Sequence, residues 1–387
     1  MPQTELGKVV AIAREIADDV IARDAEAVDR ESRWPEAGLR ALQERLGGLT
    51  VPARLGGLGH GLLAVARVCE TIGRYCASTS ICFGMHTVAT AVLAAKASPD
   101  QEERYLGPIA RGEHLTTLAL SEPGTGVEFW LPQTRMARTE DGLLRLHGTK
   151  SFVTNGGHAD SYVVGVVAAE PDAPPGEFSV VVVDGDASGL AWQGDWQGFG
   201  MRGSAARTVR LQDVPVPAQN LLGKGGDQIW YVFNVVTPYF LMAMAGTYLG
   251  VASAAVEDAR QHLRRCSHVL SGPRLSQQDV PQHRLGTLWA QVERTRRLIY
   301  HAAADAEAGG PEALLGLCSA KAEAAECAVE ATNEAMTLVG GIGYREGSPL
   351  QRYLRDARAA HVMSPHTDLL RVWVGRALLD EPLLGRV

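Results

Sequence analysis

Cysteine clusters, an excess of basic charge and a secretory leader are all missing from this sequence. Its six cysteines include no CxxC pair and no zinc-type spacing, so we expect free thiols, a reducing cytoplasm and no metal site. The net charge of -7 provides no basic field that would attract nucleic acid or an anionic membrane. No apolar run reads as a membrane span, and no signal-peptide core follows the first residues. These absences predict a cytoplasmic protein that binds neither nucleic acid nor membranes.

What the sequence does contain is a hydrophobic period that changes from helical to alternating and back. Apolar residues recur at three- and four-residue spacing over residues 6–25, whereas β-branched runs such as 162–167 and 178–183 are typical of strands. Residues 239–263 then read as one long Ala-rich helix. This order predicts an α+β fold. The predicted domains are an N-terminal α-helical domain over 1–117, a β-strand domain over 118–222 and a C-terminal four-helix-bundle domain over 223–387.

Two glycine-rich segments stand at the ends of predicted strands in the β domain. Residues 118–126 read LALSEPGTG, and residues 148–157 read GTKSFVTNGG. Glycine allows the backbone to turn with φ > 0 and leaves room for a flat ligand to approach the main chain. Ser121 and Thr154 would offer hydroxyl groups to such a ligand. Taken singly, each segment is better explained as an ordinary hairpin end.

Taken together, the two segments resemble the flavin-contacting segments TEPGAGSD and GTKxxITNGG of the acyl-CoA dehydrogenase family. Residues 51–59, VPARLGGLG, resemble the family's VPxxxGGxG loop. Residues 340–344 and 355–358 resemble its C-terminal GGxGY and RDAR motifs. The four motifs occur in the family's order and span nearly the whole chain, which is therefore identified as an atypical member of this flavin-dependent family.

The resemblance implies a helical, β and helical domain order, with FAD bound in the crevice between the β domain and the helical bundle. It implies an acyl thioester as substrate, carried on CoA or on an acyl carrier protein. The electron acceptor would be a flavoprotein or oxygen. The assembly would be a homo-oligomer, either a tetramer or a dimer.

The resemblance also assigns cofactor-binding residues to positions of this sequence. Gly126 is followed by Val127 where the family has Ser, and Thr337 stands where it has Gln. A neighbouring subunit would supply the contacts to the pyrophosphate and adenosine, since guanidinium groups pair well with phosphate. The family residue at the position of Val127 touches the substrate thioester arm or the flavin phosphate. The residues assigned to the flavin itself are Leu120, Ser121, Gly126, Phe152, Thr154, His366 and Asp368. Those assigned to the dinucleotide end are Arg264, Arg265, Thr337, Gly340 and Gly341.

The family's catalytic base is absent from its usual place. Most members take the α-proton with a Glu shortly after RDAR, and the equivalent residue here is Ser364. Some relatives carry the Glu on the long bundle helix, where this chain has Phe240. Serine alone is too weak a base at neutral pH, although its backbone N–H would still polarise the thioester carbonyl. The candidate replacement bases are Tyr239, Glu128, His366 and Asp368.

Three functions stay open on the sequence alone. The first is desaturation with a relocated base, for example γ,δ-dehydrogenation of a 2-enoyl thioester, as in the acyl-carrier-protein dehydrogenases that make polyketide extender units. The second is a flavin monooxygenase of the same fold, with which His361 and His366 are compatible. The third is a catalytically silent paralogue that binds an acyl thioester. The well-kept SEPGTG and TNGG segments favour the desaturase.

Overall fold

The N-terminal third of the chain is helical. A computed structural model of the protein describes residues 3–140, 142–169, 176–267, 272 and 274–384. Two π-helical turns, Ala17–Ile21 and Glu102–Leu106, interrupt otherwise regular helices, and Ala53–Leu55 forms one 3-10 turn. The α-helices are α1 Gln3–Ile16, α2 Ala22–Glu31, α3 Glu36–Leu46, α4 Leu62–Gly73, α5 Ala77–Ala95, α6 Pro99–Gln101 and α7 Gly107–Ala110.

A seven-stranded mixed sheet follows. Its path runs β1-β4-β2-β3-β7-β6, with β5 antiparallel to β4. β1 and β2 each run parallel to β4, whereas β3 pairs antiparallel with β2 and β7. Alternating apolar residues of these strands form a core of their own, separate from the helical core. The strands are β1 Thr116–Ala119, β2 Arg135–Arg138, β3 Leu143–Val153, β4 Ser161–Ala168, β5 Phe178–Asp184, β6 Leu190–Gln193 and β7 Arg207–Pro217.

The C-terminal part is again helical and contains three helices of 27 to 29 residues. A π-helical turn, Val232–Val236, precedes the first of them, and 3-10 turns lie at Ala218–Asn220, Leu275–Gln277 and Ala359–His361. The α-helices are α8 Gln228–Tyr231, α9 Thr237–Arg265, α10 Asp279–Glu307, α11 Ala313–Val339, α12 Gly341–Tyr344, α13 Pro349–Arg358 and α14 Thr367–Leu378.

Small residues let the helices of the two helical parts approach closely. A Cβ placed on Gly246 of α9 would lie 2.2 Å from the Ala66 carbonyl oxygen of α4. One turn further, a Cβ on Gly250 would lie 2.4 Å from the Glu70 carbonyl oxygen. Only glycine fits at such distances. The N-terminal and C-terminal helices therefore share one apolar core.

Within the part of the chain that the structure describes, two helical stretches have the length and composition of a membrane span, which corrects the expectation that none would. They are Ala77–Ala95 and Gln228–Arg265, and they are 94% and 89% buried over the apolar window inside the structure. Their apolar surface is already covered by other helices, so they are core helices.

The predicted α+β fold, with its helical, β and helical order, is confirmed. The helix predicted over residues 239–263 is α9 Thr237–Arg265, and the strands predicted at 162–167 and 178–183 lie within β4 and β5. The residues predicted as a helix over 6–25 lie in α1, a π-helical turn and α2, which follow one another without a break.

Candidate active site between the sheet and the C-terminal helices

The two glycine-rich segments meet side by side where β1 and β3 end. The Ser151 N–H donates to the Ser121 carbonyl oxygen at 2.9 Å, which joins the end of β3 to the chain that follows β1. Gly124 and Gly126 have φ of 88° and 56°. A Cβ on Gly126 would meet nothing within 4 Å, so this turn faces open space. The structure thus brings together the strand ends that carry Ser121 and Thr154.

A buried ion pair between Glu122 and Lys150 holds these two segments in place. The Lys150 ammonium lies 2.5 Å from the Glu122 carboxylate, and both side chains are almost fully buried. Glu122 also accepts from the backbone N–H groups of Gln133 and Thr134, and Lys150 donates to the Gly165 carbonyl oxygen at 2.6 Å. Burial lowers the pKa of Lys150 to about 8.

Sequence reasoning gave this pair no role, although both residues belong to the quoted motifs. Glu122 and Lys150 are the only charged residues in segments 118–126 and 148–157. Opposite charges inside otherwise apolar or glycine-rich strand ends are seldom buried unless they are paired. One acidic and one basic residue in these uncharged surroundings were therefore the signal from which the ion pair could have been predicted.

Phe152 is pushed out of the sheet by an irregularity in β3. The pairing of β3 with β7 shifts register between Lys150 and Val153, and Phe152 adopts φ of 55°. The usual alternation is lost, since Lys150 and Ser151 are both buried while the Phe152 ring is 67% exposed. The ring packs edge-on against Trp196, at 6.2 Å between centroids. Thr154, two residues on, is buried again.

The turn that carries Ser364 forms the opposite wall. The Ser364 hydroxyl donates to the Val127 carbonyl oxygen at 3.4 Å, so position 364 lies beside the SEPGTG loop. His366 caps α14, because its Nδ1 accepts from the Leu369 N–H at 3.2 Å. Asp368 lies exposed in the first turn of the same helix. His366 therefore has a structural role as the N-terminal cap of α14.

The wedge between these walls suits a flat aromatic cofactor. It presents an exposed phenyl ring at Phe152 and an open glycine turn at Gly126. Within the described residues, the buried Ser151 hydroxyl has no hydrogen-bond partner. A planar ring that stacks on apolar surface and takes hydrogen bonds at its edge would satisfy these features. The residues present therefore fit a flavin.

The two remaining candidate bases lie in different settings. Tyr239 sits half-buried in the first turn of α9, where burial and then the nearby Glu307 carboxylate raise the pKa of its phenol. That direction keeps the phenol protonated and makes it a poorer base. Glu128 is exposed and directly follows Val127, the residue that Ser364 contacts.

The five residues assigned to the dinucleotide end do not reach the flavin wedge of the same chain. Tyr248 of α9 and Lys321 of α11 both contact the 360–365 turn. Arg264 and Thr337 lie sixteen residues further along these two helices, or about 24 Å at the helical rise. Helix α10 reverses direction between α9 and α11, so both far ends lie at the same end of the bundle. Arg264 and Thr337 are exposed at this far end. Their neighbours Arg265, Gly340 and Gly341 are exposed there as well.

The RDAR motif joins all three parts of the chain. Asp356 is fully buried and accepts from the Met201 N–H at 2.6 Å, just after the sheet's β6 strand. Arg355 pairs with Asp29 of α2 and donates to the Phe199 carbonyl oxygen at 3.1 Å. Burial raises the pKa of Asp356 to about 6. The motif served as a landmark in the sequence, but its contacts are too distant along the chain to be foreseen.

Comparison with known proteins identifies the family. The chain matches three acyl-CoA dehydrogenase domains: the N-terminal domain over residues 4–113, the middle domain over 117–214 and the C-terminal domain over 231–379. It is 31% identical to cyclohex-1-ene-1-carbonyl-CoA dehydrogenase of Geobacter metallireducens, over 95% of this chain and 96% of that protein. It is 28% identical to an acyl-CoA dehydrogenase of Bacillus subtilis, over 95% of this chain and 96% of that protein.

Among solved structures, butyryl-CoA dehydrogenase from Megasphaera elsdenii superposes with a TM-score of 0.91 and 25% identity. The match covers 98% of this chain and 99% of that one. The domain matches and this superposition agree on the fold and on an FAD cofactor. The chain belongs to the acyl-CoA dehydrogenase family and is a flavin-dependent oxidoreductase that acts on CH–CH groups.

Proposed function

We propose that this enzyme desaturates an acyl thioester that already carries a double bond next to its carbonyl group. The observation that carries the proposal is Ser364, whose hydroxyl donates to the Val127 carbonyl oxygen at 3.4 Å in the turn where the family has its base. A serine hydroxyl without a basic partner does not remove a weakly acidic α-proton. In a conjugated enoyl thioester the acidic proton lies on the γ-carbon, further from position 364, so a displaced base suits it.

The reaction balances as a 1,2-elimination of hydrogen. The base takes the γ-proton, a hydride leaves the δ-carbon, and a new double bond forms between these two carbons. FAD, when bound, supplies the acceptor for that hydride. Leu120, Ser121, Gly126, Phe152 and Thr154 would hold its ring in the wedge.

The thioester carbonyl needs a hydrogen-bond donor, because negative charge develops on its oxygen as the γ-proton leaves. By the family resemblance, this donor is the backbone N–H of residue 364. This backbone N–H is present whichever of the two side chains, Glu or Ser, occupies position 364. Ser364 therefore retains the electrophilic role of the family's turn while it lacks the basic role.

Glu128 is the base that the contacts favour. It follows Val127 directly, and the Val127 carbonyl oxygen accepts from the Ser364 hydroxyl, so the backbone of Glu128 lies beside the Ser364 turn. Tyr239 is less suited, because burial raises the pKa of its phenol. We expect Glu128→Gln to abolish most oxidation of the enoyl thioester, by about a hundredfold or more. Glu140→Gln, which changes an exposed carboxylate on the next hairpin, is the matched control.

The named substrate of one relative points the same way. Cyclohex-1-ene-1-carbonyl-CoA, in the name of the Geobacter protein, is itself a conjugated enoyl thioester. That protein is 31% identical to this chain over nearly its full length. We infer that an enoyl thioester, on CoA or an acyl carrier protein, is the substrate here as well.

Two further features belong to the proposal. The distance between the wedge and the ends of α9 and α11 supports a neighbouring subunit as the source of the contacts to the pyrophosphate and adenosine. Large apolar side chains on the C-terminal helices support a tetramer or dimer. Among them, Trp289 is 59% exposed and Tyr344 is 76% exposed. Native mass spectrometry of the FAD-loaded protein measures this assembly directly.

An anaerobic assay with saturated and 2-enoyl thioesters tests the function. We expect the flavin absorbance to bleach with a 2-enoyl thioester and to persist with its saturated counterpart. The dienoyl product is identified by mass, two hydrogens lighter than the substrate. Bleaching by the saturated thioester alone would overturn the γ,δ assignment.

A glutamate restored at position 364 sharpens the same test. In Ser364→Glu the family's base returns to its usual turn, and we expect α,β-oxidation of the saturated thioester to appear. A variant that gains no such activity would show that the pocket differs in more than its base. Oxygen uptake with a hydroxylated product, driven by reduced flavin, would support a monooxygenase instead.

A further inference from the structure

A second buried lysine, Lys321, lies behind the Ser364 turn. It sits in the first half of α11 and is fully buried. Its ammonium donates to the carbonyl oxygens of Ala360 at 2.8 Å and Pro365 at 3.1 Å. Across the residues that the structure describes, no carboxylate forms an ion pair with it. Lys321 therefore differs from Lys150, whose charge is matched by Glu122.

An ammonium buried without a carboxylate costs folding free energy. The neighbouring buried positions of α11 are occupied by Leu, Ala and Cys, which carry no such cost. A lysine at this position is therefore hard to explain by stability. Its two acceptors, in contrast, lie on either side of Ser364 in the chain.

The same turn is also held from α9. The buried Tyr248 hydroxyl donates to the Met363 sulfur at 3.2 Å, one residue before Ser364. Lys321 thus fixes both ends of the 360–365 turn, and Tyr248 fixes its middle. A backbone N–H has no rotamer of its own, so its direction is set entirely by the turn that carries it.

We propose that Lys321, supported by Tyr248, is a positioning residue that holds the 360–365 turn so that the Ser364 backbone N–H points at the thioester carbonyl of the substrate. This inference rests on the proposed function. Lys321 suits the role because an ammonium carries three donors around one atom and can serve two carbonyl groups at once. A planar guanidinium presents its donors in a fixed fork and does not replace it.

The test compares Lys321→Met, which fills similar volume without donors, with Cys327→Ala on the same helix. Cys327 is buried against α10 rather than against the turn. The probe is an aryl-acryloyl thioester, a 2-enoyl thioester whose absorption moves to longer wavelength when its carbonyl accepts a strong hydrogen bond. Flavin content, the probe shift, kcat and KM are measured for each protein.

We expect the wild type and Cys327→Ala to bind the probe with the full shift. Lys321→Met should retain FAD but show a reduced shift, with kcat for the 2-enoyl substrate lower by at least about tenfold and KM within about twofold. A Lys321→Met enzyme with the full shift and unchanged kcat overturns the inference. A wild type that neither shifts the probe nor oxidises the substrate overturns the proposed function itself.

Tyr248→Phe keeps the inference testable if Lys321→Met does not fold. This change removes one hydroxyl and leaves the helix packing intact. We expect a smaller loss of the probe shift than in Lys321→Met, with flavin content unchanged. A full shift in Tyr248→Phe counts against a turn held from these two helices.

Discussion

The two walls of the site are each supported by a buried lysine, but the lysines are used in opposite ways. On the sheet side, Lys150 is paired with the Glu122 carboxylate. On the helical side, Lys321 donates to the carbonyl oxygens of Ala360 and Pro365 and, among the described residues, forms no ion pair with a carboxylate. Burial lowers the pKa of both ammonium groups to about 8. The cofactor wall thus contains an ion pair between side chains, whereas Lys321 holds the substrate wall through backbone carbonyl groups.

This difference explains which motifs are kept and which have changed. The SEPGTG and GTKSFVTNGG segments need Glu122 and Lys150 as a matched pair, so either residue alone is damaging to lose. Lys321 holds the turn around Ser364 through main-chain carbonyl groups, so the side chain at position 364 can change while the backbone stays in place. A serine where the family has its base is compatible with an otherwise intact wall.

Breaking the ion pair on the sheet side gives the largest expected effect. Lys150→Met leaves the Glu122 carboxylate buried without its cation, which costs about 3–5 kcal/mol of unfolding free energy. Both strand ends would shift, so FAD should also be lost during purification. Urea denaturation and flavin content measure the two effects. The double change Glu122→Gln with Lys150→Met should recover part of the stability, and no recovery would contradict the pairing argument.

The next largest effect is expected at Asp356, which lies at the junction between the two walls. It is an effect on stability that depends on pH. Burial raises the pKa of Asp356 from an unfolded value of 3.8 to about 6. The unfolded chain therefore loses this proton at lower pH than the folded chain does. Stability from the protonated group is present below pH 3.8 and is lost as pH rises through about 6.

Asp356→Asn should remove that dependence, because an amide oxygen still accepts from the Met201 N–H. We expect the variant to gain stability relative to the wild type between about pH 4 and about pH 7, by up to about 3 kcal/mol in total. Chemical denaturation of both proteins across this range measures the difference. Parallel stability curves would show that Asp356 titrates at its ordinary value.

A smaller effect is expected at Phe152, where the sheet-side wall faces the cofactor. The ring is 67% exposed in the protein chain alone, so Phe152→Ala should change the stability of the apoprotein by less than about 0.5 kcal/mol. The loss of one aromatic contact should weaken FAD binding about tenfold. Fluorescence titration of apoprotein with FAD tests this. Equal affinity in the variant would mean that the ring does not touch the flavin.

The smallest effect is expected at the Ser364 side chain. Ser364→Ala removes the 3.4 Å hydrogen bond to Val127 and keeps the backbone N–H. A neutral hydrogen bond of this length contributes less than about 1 kcal/mol, so kcat should fall by at most about fivefold. Steady-state kinetics with the 2-enoyl thioester measure it. A hundredfold loss would give the hydroxyl itself a catalytic role.

Much of the fold could be predicted from the sequence because the local spacing of apolar residues indicates helices and strands. The helix around Gly246 and the strand pair at 162–167 and 178–183 are local patterns, and both are confirmed. The outward turn of Phe152 was not predictable, because a register shift depends on the partner strand β7. Lys321 was missed as well, although a lysine on an apolar helical face was visible in the Ala-rich run.

The site was predicted only in part, because its contacts join residues that lie far apart in the chain. Ser364 and Val127 are 237 residues apart, and their contact became visible only in the fold. The family resemblance had already assigned both to one pocket. It assigned no role to Glu122 or Asp356, whose partners come from other segments. The roles of individual site residues, including Glu128 and Arg264, stay predictions.

The Glu122 carboxylate binds the far end of its own loop, through the N–H groups of Gln133 and Thr134. Residues 123–132 therefore form a loop whose two ends are held together by hydrogen bonds beside the sheet. Within such a loop, side chains such as those of Val127 and Glu128 can be exchanged without moving the strand ends that meet the cofactor. New substrate preferences can then evolve by changing this one loop while flavin chemistry is preserved.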